Sequence, residues 1–202
     1  MSQTKTYLLA SQSPRRRELF KRISSDFDTV SIDLDEHQIV ENILQEAEAD
    51  EDFILTARKV VLALAKAKAR HAPQTHPFLI TADTIVVLDN KILEKPRDAR
   101  EATEMLTSLC GQVHSVLTGV CVVKGEECRT FVEETHVHCY PLDSITEDII
   151  KTYVKSGSPL DKAGGYGIQD QGGLLVEKIY GDVHNVIGLP VSKLLRVLKD
   201  ME

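Results

Sequence analysis

The sequence predicts an α/β fold on a mixed sheet. Two observations carry this. Apolar runs of strand length alternate with segments of helical period, the βα rhythm of a layered α/β domain. Two hairpin signals, Asp89-Asn90 and Lys124-Gly125, interrupt that rhythm, so some neighbouring strands must be antiparallel.

The elements follow in order. Tyr7 to Ala10 is a short apolar strand, and Pro14 to Ile23 a helix with Ser13 as its cap and Pro14 at its first position. Phe27 to Ile32 is extended. The acid-dense stretch from Glu41 to Asp52 reads as a solvated loop or helix end. An amphipathic helix spans about Phe53 to Arg70. A buried strand runs from Phe78 to Ala82, continues through Ile85 to Leu88, and turns back along Lys91 to Lys95. Asp98 with Glu101 forms a capping-box pattern for a helix that stops at Gly111. Val113 to Val123 and Cys128 to Tyr140 make a long hairpin. Ser144-x-x-Glu147 opens a helix ended by Gly157. A glycine-rich loop (Lys162 to Gly173), a strand (Leu174 to Ile179) and a helix from Pro190 follow.

With 202 residues, the chain can bury a full core as one domain, 1–202, or as two lobes sharing a cleft. A formal charge of −7 argues against general nucleic-acid binding but leaves room for a local cationic site. Cys110, Cys121, Cys128 and Cys139 form no CxxC pair and read as reduced thiols. There is no long apolar span and no signal-type h-region, so the expectation is a soluble cytoplasmic protein without a membrane partner. Nothing in the sequence decides between a monomer and a homodimer.

Three segments carry candidate chemistry. The first is Ser11-Gln12-Ser13-Pro14-Arg15-Arg16-Arg17, which follows a strand. Cations at a helix start oppose its dipole, so three arginines there point to an anion, most simply a phosphate chain met by Ser11, Ser13, Arg15 and Arg16. The second is the helix stripe Val61, Leu64, Ala65 and Lys68, at i, i+3, i+4 and i+7. Lys59, Lys66 and Arg70 fall mainly on another face. Lys68 therefore either snorkels at the core edge or points into a cleft.

The third is the end of the apolar run Phe78 to Ala82, where Asp83 and Thr84 stand as at the mouth of an α/β site. A two-residue Asp89-Asn90 turn pairs Leu88 with Lys91, and counting back pairs Thr84 with Lys95. Strict alternation aims Asp83 away from Thr84, whereas a bulge or the strand end would change that. Asp35-Glu36 supplies further carboxylate, either as the start of the acidic loop or as part of a Mg²⁺ or Mn²⁺ site. Gln169, in a loop with five glycines, has the donor and acceptor to read a nucleobase edge. His136 and His138 with Cys139 mimic a soft-metal site but read better as ordinary strand residues. His114 and His184 read as structural.

Taken together, these segments resemble the Maf family of nucleoside triphosphate pyrophosphatases. The likeness rests on Ser11-x-Ser13-Pro14-Arg15-Arg16, Leu64-Ala65-x-x-Lys68-Ala69, Ala82-Asp83-Thr84, Lys95-Pro96, Asp161-Lys162-Ala163-Gly164, Ile168-Gln169 and Gly188-Leu189-Pro190. It implies an elongated mixed sheet flanked by helices in two lobes, like that of inosine triphosphatases, with a nucleotide in the cleft. It also implies metal-dependent hydrolysis of a nucleoside triphosphate to the monophosphate and pyrophosphate. Arg15, Lys68 and Lys95 would bind phosphate, Lys68 and Lys95 with a catalytic part. Glu36 would be a metal-site carboxylate, and Asp83 a proton acceptor that shares the metal. Arg15, Thr84 and Gln169 match positions of substrate choice, and Ile168-Gln169 looks like the branch that prefers dTTP and UTP. The chain departs from the family pattern at Asp170, where a glycine often follows the glutamine, and in the longer acidic stretch after Glu36.

Two rival readings would use the same residues. A nucleotide-sensing regulator of cell division would bind without product. A nucleotidyltransferase would need an acceptor other than water.

Overall fold

Seven strands form one mixed sheet in the computed structural model, which describes residues 5–48 and 50–202. The strands are β1 (Tyr7–Ala10), β2 (Phe27–Val30), β3 (Phe78–Leu88), β4 (Lys91–Leu93), β5 (Val113–Lys124), β6 (Glu127–Cys139) and β7 (Val176–Tyr180). Their order is β2-β1-β3-β5-β6-β7, with β4 on β3. β1 is parallel to β2 and β3, whereas β3–β4 and β6–β7 are antiparallel, which confirms the mixed sheet. The helices are α1 (Pro14–Phe20), α2 (Glu36–Glu46), α3 (Phe53–His71), α4 (Ala99–Leu109), α5 (Ser144–Lys155), α6 (Val183–Ile187) and α7 (Val191–Asp200). Among the described residues, no helix is long and apolar enough to cross a membrane.

The chain divides into two compact units. The first comprises Met1–Asp83, Thr118–Glu133 and Gly188–Glu202. Its core joins Leu8, Ala10, Ala65, Ala69, Leu79 and Cys121, so α3 lies on the strands through its small residues. Gly119 makes that approach possible, because a Cβ there would stand 2.4 Å from the Val61 carbonyl oxygen. Phe20 stacks edge-on against Tyr7 and Phe27, with ring centroids 5.7 and 5.0 Å away. Of the two readings of the acid-dense stretch, a solvated loop or a helix end, its first part takes the second. α2 runs to Glu46, with the Asp35 carboxylate accepting the Gln38 N–H at 3.2 Å. The signal was present as Asp35-x-x-Gln38 ahead of Ile39, Val40 and Ile43, a capped helix with a weak apolar stripe.

The second unit comprises Thr84–Leu117 and Glu134–Ile187. Its core gathers Val86, Leu106, Leu109, Val137, Ile150, Tyr153 and Tyr166. Asp89 and Asn90 both take positive φ (48° and 58°), the conformation of a type I′ hairpin turn. The register begins as expected, Leu88 opposite Lys91, but pairing ends at Val86 with Leu93. Thr84 is therefore not brought opposite Lys95, which lies exposed in the loop beyond β4. Asp98 caps α4 as read, accepting the Glu101 N–H at 2.8 Å, but the return bond of that box and the cap of α5 differ from the sequence reading. Glu101 accepts the N–H of Arg97 and not that of Asp98. Asp143, one residue before Ser144, caps α5 in a reciprocal box with Thr146.

His114 is buried beneath this core, its Nε2 2.7 Å from the Tyr166 hydroxyl and its ring edge-on to that phenol. Among the described residues Nδ1 has no hydrogen-bond partner. Burial lowers the imidazole pKa from 6.5 to about 4. The folded protein thus resists a proton that the unfolded chain accepts. This contribution to stability is complete above about pH 6.5 and is lost progressively down to about pH 4, by up to about 3 kcal/mol. Denaturation midpoints measured across that range should fall with pH, and His114→Gln should flatten the slope.

Candidate functional site

Lys68 anchors the charged cluster of the first unit. The stripe Val61, Leu64, Ala65 and Lys68 is buried as its spacing predicts, with Lys68 only 9% exposed, while Lys59, Lys66 and Arg70 face solvent. An ammonium in that position must be paired, because burying an unpaired charge costs several kcal/mol, of order 3–5. Two carboxylates meet it. Asp83 Oδ1 lies 2.6 Å from Lys68 Nζ, and Glu36 Oε1 lies 2.8 Å away. Asp83 is almost as buried as the lysine, whereas the Glu36 side chain is half exposed.

The strand and helix periods explain this meeting. Thr81 and Asp83 share one face of β3, two residues apart, and Ala65 and Lys68 lie one turn apart on α3. Thr81 Oγ1 donates to the Ala65 carbonyl at 2.7 Å, and Lys68 donates to Asp83 one turn further on. Asp83 therefore faces α3 beside Thr81, the side to which strict alternation aims it. Glu36 arrives as the first residue of α2.

α1 brings further cations to the same unit. Ser13 caps the helix by accepting the Arg16 N–H at 3.3 Å, and Ser11 Oγ accepts the Ser13 N–H at 3.2 Å. Arg16 is held by its Nε–H, which donates to the Gly188 carbonyl at 2.8 Å. Burial lowers the pKa of its guanidinium, and Asp83 and Glu36 oppose that effect while Arg15 adds to it. Arg15, Glu36 and Asp83 thus each lie within electrostatic reach of Arg16. Arg15 is part-buried and Arg17 is exposed.

Three predicted residues belong to the second unit. Thr84 is part-buried on β3, Lys95 is exposed, and Gln169 is exposed between two short helical turns, Ala163–Gly165 and Gln171–Leu175. The loop carrying Gln169 has a brace that the sequence did not announce. Buried Lys162 donates to the Ser158 carbonyl and to Asp161 Oδ1, each at 2.6 Å, and pairs with Asp170 at 3.3 Å. Asp170 also accepts from Tyr153, Ser158 and the Gly172 N–H. Burial alone would raise the Asp170 pKa, but these donors outweigh it and hold the carboxyl below its ordinary value. Asp170, the departure from the family pattern, is thus the point where the loop is tied. Its only sequence signal was a charged residue among glycines.

His136 lies 3.1 Å from Ser115 Oγ and His138 lies 3.2 Å from Glu177, while alternation buries Cys139 on the opposite face. Among the described residues, no group of three or more His, Cys, Asp or Glu side chains gathers in a metal-binding cluster.

A family model described as Maf-like protein matches residues 6–201. The chain is 40% identical over 200 residues to a Bacillus cytotoxicus protein named dTTP/UTP pyrophosphatase, covering 98% of this chain and 96% of that one. A Carboxydothermus hydrogenoformans protein of the same name is 41% identical over 196 residues, covering 95% and 96%. A Thermosipho africanus protein, again so named, is 40% identical over 193 residues, covering 96% and 92%. Among solved structures, the Staphylococcus aureus Ham1 protein aligns over 98% of this chain and 100% of its own, with a TM-score of 0.45 and 13% identity.

Proposed function

Since this chain belongs to the Maf family, we propose that it hydrolyses nucleoside triphosphates, dTTP and UTP foremost, to the monophosphate and pyrophosphate. The observation that carries the reading is buried Lys68 held between Asp83 and Glu36 beside the arginines of α1. The names borne by relatives about 40% identical over nearly the whole chain support the substrate class.

The chemistry assigns each group a task. Attack of water on the α-phosphorus builds negative charge on the phosphate oxygens, and fixed cations that meet it lower the barrier. Lys68, Arg15 and Arg16 are those cations, with Ser11 and Ser13 binding at the turn before α1. Asp83 accepts the proton of the attacking water, and Lys68, donating to its Oδ1 at 2.6 Å, orients the carboxylate. Pyrophosphate leaves with its charge spread over its own oxygens.

A divalent cation fits the donor chemistry here. Glu36 and Asp83 offer hard carboxylate oxygens that converge on one ammonium, and a Mg²⁺ or Mn²⁺ site commonly takes one or two such carboxylates and completes its shell with water and substrate. When bound, that ion would acidify the attacking water and neutralise phosphate charge. For Lys95 as a catalytic phosphate contact, and for Thr84 and Gln169 as selectors of the base, the proposal rests on the matching sequence motifs alone.

The deciding experiment offers all common NTPs and dNTPs with Mg²⁺ or Mn²⁺ and measures pyrophosphate, monophosphate and orthophosphate separately. Equimolar pyrophosphate and monophosphate, fastest from dTTP and UTP and abolished by EDTA, is the expected result. Orthophosphate as first product would reject α–β cleavage. Tight nucleotide binding without product would favour a sensing role.

A further inference from the structure

Outside the charged cluster, the first unit carries a second reactive arrangement. Cys121 on β5 and Cys128 on β6 flank the Gly125-Glu126 turn, with their Sγ atoms 3.5 Å apart. A disulfide needs about 2.05 Å, so a modest side-chain movement separates the two thiols from a bond. Both are free. Their surroundings are unequal: Cys121 is 1% exposed, packed among Ala65, Ala69 and Leu79, whereas Cys128 is open to solvent. Both residues line a recess of about 380 Å³ together with Lys66, Arg70, Gln74 and Glu126.

We propose that Cys121 and Cys128 form a two-thiol modification site that a hydroperoxide converts reversibly to an intramolecular disulfide. Cys128 is the attacking sulfur, because it is the one a peroxide reaches directly. Its sulfur bonds to one peroxide oxygen, the O–O bond breaks, and the other oxygen leaves as water or alcohol with the thiol proton. Cys128 is then a sulfenic acid. Cys121 attacks that sulfur, the S–O bond breaks, and the hydroxyl departs as water with the Cys121 proton. Two thiols are oxidised by two electrons and one peroxide is reduced.

The order follows from the environments. Burial, and after it the neighbouring Cys128 thiol, push the Cys121 thiol up to about 12, so Cys121 is the poorer first nucleophile and acts second. Cys139 is as deeply buried as Cys121, and the Cys110 thiol is engaged with the Leu106 carbonyl at 3.4 Å. Those two serve as internal controls.

The test treats the full-length protein with a small excess of hydrogen peroxide, alkylates it after denaturation, and reads intact mass and peptide maps. Alkylatable thiols should fall from the four of the reduced chain to two, with the loss of two hydrogens and a Cys121–Cys128 linked peptide, all reversed by dithiothreitol. Cys128→Ser should keep its three remaining thiols under the same treatment. Cys121→Ser should leave Cys128 as a sulfenic acid captured by dimedone. Four surviving thiols in the wild-type protein, a Cys128-linked dimer, or sulfinic acid at Cys128 with Cys121 still alkylatable would each overturn the proposal.

Discussion

Asp83→Asn is expected to lower the rate of pyrophosphate release by roughly 10²–10⁴-fold, the usual contribution of a positioned general base. The amide keeps the size of the carboxylate and an oxygen that can accept from Lys68, so the contact seen at 2.6 Å has a substitute. What it loses is the capacity to take a proton. Lys68 retains Glu36 at 2.8 Å, so the ammonium is not left buried alone. The deficit should therefore appear in kcat, with KM for dTTP little changed, as for a group used mainly in the transition state. A bound divalent cation would acidify the attacking water, so EDTA should reduce the wild-type enzyme towards the variant's rate. Undiminished turnover by Asp83→Asn would remove the residue from this role.

The fold was legible wherever one local pattern decided it. The Asp89-Asn90 hairpin, the apolar length of β3 and the buried stripe of α3 each follow from a period or a turn, and the structure keeps all of them. Lys68 could be placed on the inner face because seven residues of helix are enough to fix a face. Its partners could not, since Glu36, Lys68 and Asp83 come from α2, α3 and β3, and only tertiary packing joins them. The Lys95 register failed for a related reason. Extrapolating a hairpin assumes continued pairing, and β4 stops at Leu93, two residues short of the lysine. The lattice of donors around Asp170 was equally hidden, because Tyr153 and Ser158 reach it from outside the glycine-rich segment.

Lys68→Met tests the cluster from its cationic side and should affect stability as well as rate. Methionine fills the stem of the lysine along α3 but leaves the Asp83 carboxylate buried without its ammonium, at a cost of about 3–5 kcal/mol for a broken buried pair. Glu36, half exposed, can turn to water and should add little. The loss belongs to the orphaned charge, so a second substitution that removes that charge should cancel it. Lys68→Met combined with Asp83→Asn is therefore expected to recover most of the stability in chemical denaturation, a coupling that neither single change predicts. Activity should not follow. The double variant lacks both the cation that meets the phosphate charge and the base that takes the proton, and one lost electrostatic donor alone costs about 10²–10³-fold. A variant that regains its fold while staying inactive separates what the pair does for packing from what it does for chemistry. Recovery of both together would mean that the Lys68–Asp83 contact is only structural.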